Sequence, residues 1–386
     1  MLDRLIAQKI SGAKRSVLLI GPRQTGKSTL VHGLRPDLEI NLAREAELLT
    51  FLANPGELEQ RITAQHAKTV FLDEVQRLPS LLNTVQALVD EAKRDGRQLK
   101  FLLTGSSARK LRRGGANLLA GRILLFHLGP LAAAEIGDSF DVRRALEMGT
   151  LPEPYLEQDR SLGEKILQAY GGTYLKEEIQ AEALSRKLEG FSRFIMVAAA
   201  TSGGWLDFSK LAQNARVSRT STVRYFELLE ETLLARRVFP YPAAPRADLV
   251  KHPKLYFFDC GVLNGLLGNF VASADRIGNL FEHLLVCQLQ ALAMAHDKEI
   301  EIHTFRTRGG LEVDFVVRIG KQTWAIEAKA STNIREHDAD GLEAASSHFP
   351  DGTRRVIVTL GGASRRFRNG VEVLAMSVFL KELDFS

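Results

Sequence analysis

The segment Gly21-Pro22-Arg23-Gln24-Thr25-Gly26-Lys27-Ser28 lies between an apolar run, Ser16 to Ile20, and a helical pattern that starts at Lys27. It fits the spacing G-x-x-x-x-G-K-[ST], with the strand before it and the helix after it that the motif requires. Glycines at those positions let backbone N–H groups converge on phosphate oxygens, and the helix N-terminus adds partial positive charge. Lys27 is then expected to reach the β- and γ-phosphates of ATP, and the Ser28 hydroxyl to bind Mg²⁺. Gly21, Gln24, Thr25, Gly26, Lys27, Ser28 and Thr29 form the expected nucleotide-contacting set. The competing reading is a glycine turn that arose by chance.

The next segments build a sheet around this loop. Thr69 to Asp73, Lys100 to Thr104 and Ile123 to His127 are short, continuously apolar runs, and a helix is expected over about 79 to 94. Such strands separated by helices predict an α/β domain with a parallel sheet covered on both faces. Asp73 and Glu74 end the second run. Asp73 is expected to orient Mg²⁺ through its water shell, and Glu74 to polarise the attacking water. Taken alone, the pair could equally start a helix. Thr104 or Ser106, at the end of the third run, could touch that water or the γ-phosphate, or simply end a strand. From Phe101 to Ala134 there is no acidic residue, whereas Arg109, Lys110, Arg112, Arg113 and Arg122 all occur. Arg122 is a candidate arginine finger supplied by a neighbouring subunit. The alternative is a solvated basic face.

Length and composition bound the rest. With 386 residues the chain exceeds a single core, so two to four domains are expected. A net charge of +5 permits a nucleic-acid partner without requiring one. Cys260 and Cys287 are the only cysteines. Neither belongs to a C-x-x-C pair, which speaks against a zinc site or disulfide framework and for a reducing, cytoplasmic setting. The start, MLDRLIAQKISGAK, reads as an amphipathic helix and not as a signal peptide. No stretch approaches the roughly 20 apolar residues of a membrane span.

The ordered motifs GPRQTGKSTL, VFLDEVQRLP, LLTGSS and LAGR with PLAAAEI resemble the AAA-type ATPases of bacteria and archaea that end in domain of unknown function 4143. The later segments YGGTYLKEEI, KLYFFDCGVLNGLLG, GNLFEHLLVCQL, FRTRGGLEVDFVV and AIEAKAS fit the same family, so the resemblance spans nearly the whole chain. It implies an AAA-type core, a winged-helix middle and a restriction-endonuclease-like α/β end. The expected divisions are an ATPase core over 1–137, a helical lid or linker over 138–169, a winged helix over 170–245 and a nuclease-like domain over 246–386. A ring, hexameric by analogy, is the usual assembly of AAA-type proteins.

In the middle segment, Asp207 and Ser218 are expected to cap the two helices of a helix-turn-helix. Val223, Phe226, Leu229 and Leu233 share one helical face and are expected in the core. Arg219, Thr220 and Arg224 fall mostly off that stripe and suit contacts in a DNA major groove. Arg236 and Arg237 lie in the expected wing and are expected to bind DNA as well. The alternative is a winged helix that packs on protein. Near the C-terminus, a hairpin is expected over 311–319 and 322–328, after a long apolar helix over 277–295. Asp314 lies in its first strand, Glu327 and Lys329 share a face of the second, and Glu282 lies in the helix. This set resembles the PD-(D/E)XK nucleases, with Val313 where the motif's name has proline. Glu282, Asp314 and Glu327 would hold Mg²⁺, and Lys329 would steer a hydroxide. The alternative is a surface pair on a non-cleaving scaffold.

Two functions remain. One is an ATP-driven protein that remodels or translocates on duplex or branched DNA, with or without Mg²⁺-dependent cleavage. The other is a nucleotide-switched interaction protein in signalling or defence.

Overall fold

The computed structural model describes residues 2–106, 121–174, 188–242 and 249–385. Arg109, Lys110, Arg112 and Arg113 of the basic stretch lie outside the described residues. The chain divides into two compact units, residues 1–129 with 231–233, and residues 130–230 with 234–386.

The first unit is built on β1 (Ser16–Ile20), β2 (Leu38–Asn41), β3 (Thr69–Asp73), β4 (Lys100–Gly105) and β5 (Ile123–His127). They form a parallel sheet in the order β2-β3-β4-β1-β5. β1, β3 and β4 are buried almost throughout because helices leave neither face to water. Leu18, Ile20, Val70, Leu72, Phe101 and Leu103 join one apolar cluster, and Val17, Leu19, Phe71 and Leu102 join another. Alternate residues thus feed opposite faces of the sheet. The expected helices appear at Lys27–Gly33 and Leu81–Arg94.

The second unit contains the helices Leu188–Ala200, Phe208–Ala215 and Arg219–Glu231, then the antiparallel pair β6 (Ala235–Val238) and β7 (Lys254–Phe257). Asp207 caps the second of these helices by accepting from the Ser209 and Lys210 amides, and the Ser218 hydroxyl accepts from the Ser221 amide at the start of the third. The buried face of Arg219–Glu231 differs from the expected stripe. Val223 is 38% exposed, whereas Thr222, Tyr225, Phe226, Leu228 and Leu229 are buried. Aromatic packing sets this face: Phe226 meets Phe194 and Phe208 edge-on at 4.9 and 5.2 Å, and Tyr225 meets Phe191 at 5.1 Å. Leu233 lies beyond the helix with a φ of 61°, so it cannot extend the stripe.

A mixed sheet follows, made of β8 (Glu301–Arg306), β9 (Glu312–Ile319), β10 (Gln322–Lys329), β11 (Arg354–Thr359), β12 (Arg365–Arg366) and β13 (Glu372–Ala375). Its order is β12-β13-β11-β10-β9-β8. β9 and β10 form the expected hairpin, turning at Gly320 with a φ of 56°. The helix Ile277–His296 is apolar nearly all round, which marks a helix buried within its unit.

Candidate functional site

The glycine-rich loop leaves β1 at Ile20. Gly21 donates to the Gly105 carbonyl, and a Cβ on Gly21 would lie 2.0 Å from the Leu128 carbonyl oxygen, so no side chain fits there. Gly26 has a φ of 87°, which favours glycine, and it precedes the first turn of Lys27–Gly33. The buried Lys27 ammonium donates to the Gly21 and Pro22 carbonyls at 2.9 and 2.7 Å, so the loop curls round its own lysine. Thr25 donates to the Pro22 carbonyl at 3.0 Å. Arg4, which sequence reasoning missed, donates to the Thr25 and Gly129 carbonyls at 2.7 and 2.9 Å and braces the loop from behind.

Across the sheet, Ser28 donates to Asp73 Oδ1 at 2.9 Å. Thr104 hydrogen-bonds to the same carboxylate oxygen, and its Oγ1 accepts the Glu74 amide at 3.2 Å. Parallel pairing creates this convergence. The register sets Leu19 beside Thr104 and Leu72 beside Leu103, so β1, β3 and β4 all end on one edge. Glu74 has a φ of 60°, in the left-handed region that non-glycine residues rarely adopt. Gln76 donates to both the Glu74 carboxylate and Ser106 Oγ, the latter at 3.0 Å. Gln76 was also missed, although its place two residues after Glu74 was visible. Ser106 and Thr104 thus hold Gln76 and Asp73. Buried oxygens of Gln24 and Gln76 have no hydrogen-bond partner among the described residues. The hydroxyl–carboxylate pair of Ser28 and Asp73 fits Mg²⁺, and the glycine turn at Gly26 that leads into Lys27–Gly33 fits a phosphate chain. Arg122 is ion-paired with Asp90 at 2.7 Å.

The second unit brings Glu282, Asp314, Glu327 and Lys329 together. Phe315 faces Ile326 in the hairpin, so the next pair outward is Asp314 and Glu327. Asp314 accepts the Ala328 amide at 2.8 Å, and Lys329 donates to Glu327 at 2.8 Å. Burial, followed by the charge of Asp314, pushes both Glu282 and Glu327 up to about 7. Burial also raises Asp314. Sequence reasoning missed a fifth member, Lys254 of β7. Its buried ammonium lies 3.4 Å from Glu282 Oε2, 3.6 Å from Glu312 Oε1 and 5.2 Å from the centre of the Trp205 ring. Burial acts to lower this amine, but Glu282, Asp314 and Glu312 outweigh it and leave it raised.

Arg219, Thr220 and Arg224 are exposed on their helix. Arg237 forms a two-point pair with Glu230, Nε to Oε1 at 2.9 Å and Nη2 to Oε2 at 2.5 Å. Arg236 is half-buried, and burial lowers its guanidinium.

A parallel sheet with this loop on one strand and Asp73-Glu74 at the end of another defines a P-loop nucleotide-binding protein. Family models match the AAA domain over residues 13–137, domain of unknown function DUF8612 over 139–273 and domain of unknown function DUF4143 over 277–379. The chain thus carries an AAA domain over residues 13–137 and domain of unknown function 4143 over residues 277–379, the order of the AAA-type ATPases it resembles. Two curated relatives are the uncharacterized proteins Rv2008c of Mycobacterium tuberculosis and Mb2031c of Mycobacterium bovis. Each is 27% identical over 323 residues, which cover 82% of this chain and 70% of theirs. Among solved structures, the replication initiator DnaA bound to AMPPCP and single-stranded DNA matches at 13% identity with a TM-score of 0.29. That match covers 58% of this chain and 85% of DnaA. The Aeropyrum pernix ORC1 protein in complex with DNA matches at 13% identity with a TM-score of 0.25, covering 69% of this chain and 91% of ORC1. Scores of this size support no inference about ligands or partners. The AAA domain supports a nucleotide-dependent activity. No described helix is long and apolar enough to cross a membrane.

Proposed function

We propose that the chain hydrolyses ATP at the Gly21–Ser28 loop and uses the cycle to remodel or translocate on duplex or branched DNA. The observation that carries the reading is the hydrogen-bond chain Ser28–Asp73–Thr104–Glu74, which ties the loop to the ends of two further strands. Mg²⁺, held by Ser28 and Asp73, would neutralise charge on the β- and γ-phosphates. Lys27 leaves the loop carbonyls and adds its charge to the γ-phosphate. Glu74, aimed by its own backbone and restrained by Gln76, orients the attacking water and accepts its proton. Arg122 leaves Asp90 and reaches a neighbouring subunit of a ring, hexameric by analogy.

DNA contact is assigned to Arg219, Thr220 and Arg224, with β6 and β7 as the wing that bears Arg236 and Arg237. The proposed divisions are 1–137, 138–169, 170–245 and 246–386, and the proposed setting is the cytoplasm. The carboxylate cluster is read as a nuclease-like Mg²⁺ site with Lys329 beside it. One observation favours the second reading, a nucleotide-switched interaction protein with a non-cleaving C-terminal domain. The Lys254 ammonium already supplies positive charge among Glu282, Glu312 and Asp314.

Turnover of MgATP across duplex, single-stranded and branched DNA, with particle mass measured with and without ATP, separates the two readings. Stimulation of several-fold by one DNA form supports the first. A DNA-independent rate with no DNA binding supports the second.

A further inference from the structure

Two thiols and an imidazole meet in the interior of the second unit, and neither site described above uses them. Cys260 opens the helix Cys260–Leu267 just after β7 and is fully buried. His283 and Cys287 lie one turn apart on the helix Ile277–His296 and are 1% and 6% exposed. Spacing of i and i+4 puts them on one helical face. Cys260 Sγ, Cys287 Sγ and a ring nitrogen of His283 all lie within 4.8 Å of one another. Both cysteines are free thiols.

From this geometry we infer that Cys260, His283 and Cys287 bind one thiophilic d¹⁰ cation, Zn²⁺ or Cu⁺. Metal–sulfur bonds of about 2.3 Å and metal–nitrogen bonds of about 2.0 Å imply ligand-to-ligand edges of roughly 3.3–3.8 Å. The cluster needs to contract by only about 1 Å to reach them. Thiolate and imidazole donors select soft or borderline ions over Mg²⁺, so this site does not compete for the ion of the nucleotide loop.

The surroundings are those of a ligating histidine. His283 Nε2 lies 2.8 Å from the Phe257 carbonyl, and Nδ1 lies 3.3 Å from Ser202 Oγ. A metal-bound imidazole characteristically donates its other N–H to a backbone carbonyl, which fixes the ring. One ring nitrogen can keep its N–H on the Phe257 carbonyl or on Ser202 Oγ while the other offers its lone pair to an ion. Two thiolates then carry two negative charges, which Zn²⁺ cancels fully and Cu⁺ cancels by half. Ion binding would join the start of Cys260–Leu267 to the helix that also carries Glu282. It is therefore a structural clip beside the carboxylate cluster.

The test uses the full chain, reduced and stripped of metal. Zn²⁺ is titrated against a chromophoric chelator, Cu⁺ is titrated anaerobically, and Co²⁺ is added for its spectrum. The expected result is one tightly held equivalent per chain and a sulfur-to-cobalt charge-transfer band. Cys287→Ser should weaken the ion at least tenfold, with circular dichroism checking its fold. If that variant does not fold, thermal unfolding of the wild type decides: one equivalent of Zn²⁺ should raise the midpoint and a chelator should reverse the rise, whereas an unmoved midpoint overturns the inference. A folded wild type with no stoichiometric ion, a cobalt spectrum without the sulfur band, or conversion of both thiols to a disulfide in place of ion binding overturns the inference.

Discussion

The Ser28 hydroxyl donates to Asp73 Oδ1 at 2.9 Å, linking the first helical turn after the glycine loop to the end of β3. In a chain that binds MgATP, both groups face the same ion. Ser28→Ala and Asp73→Asn should each lower the rate of phosphate release by on the order of a hundredfold. Lys27→Ala should instead lose nucleotide binding, seen as the absence of binding heat with MgATP in calorimetry. Tight binding by Lys27→Ala would move the triphosphate away from this loop.

Gln76 reaches both Glu74 and Ser106. A positioning residue of this kind acts on turnover without touching affinity. Gln76→Ala should lower kcat by about tenfold while the nucleotide Kd stays within about twofold. Gln76→Asn should restore part of the rate. An equal loss in affinity and rate would make Gln76 merely structural.

How much of this was legible in the sequence depends on where each partner lies along the chain. β1, β3 and β4 announced themselves as short apolar runs because both their faces are covered. β2 alternates buried and exposed residues over only four positions, and β8 begins with half-exposed residues, so neither stood out. The nucleotide loop was legible because its chemistry is contiguous. Lys254 was not, because Glu282 and Glu312 belong to other elements and only folding brings them to it. Val223 failed for a related reason: helical periodicity finds a stripe, but the Phe191, Phe194 and Phe208 rings decide which way the stripe turns.

Lys254 and a divalent ion would compete for the same carboxylates. Lys254→Met keeps the buried stem and removes the charge. It should tighten Mn²⁺ binding at the C-terminal carboxylates by at least about tenfold. Calorimetry in the Asp73→Asn background isolates this site from the nucleotide loop. Unchanged Mn²⁺ affinity would show that the ammonium does not occupy the ion's place.

Glu282 and Glu327 are raised from 4.5 to about 7 in the folded chain by burial and by Asp314, against the pull of Lys254 and Lys329. A carboxyl group raised on folding holds a proton that the unfolded chain has released. Stability therefore falls as pH rises from about 4.5 to about 7. Glu327→Gln removes one such group and should make that fall shallower. Urea unfolding midpoints at about pH 5 and pH 8 check the sign. A wild type that gains stability across that window would contradict it.

Arg219 and Arg224 are exposed, whereas Arg237 is held by Glu230. Replacing Arg219 and Arg224 together by Ala should lower the slope of log affinity for duplex DNA against log salt by about 2. Arg237→Ala should leave that slope unchanged and lower thermal stability instead. Identical slopes for the double variant and the wild type would place the DNA contact elsewhere.

On the proposed mechanism, Glu74 directs the water that attacks ATP. Steady-state phosphate release from MgATP, measured on the folded wild type and Glu74→Gln side by side, tests it most directly. Measurable release is expected from the wild type and a rate at least about a hundredfold lower from the variant, with ATP still bound by both. Equal rates in the two proteins would contradict it, as would no release by the wild type.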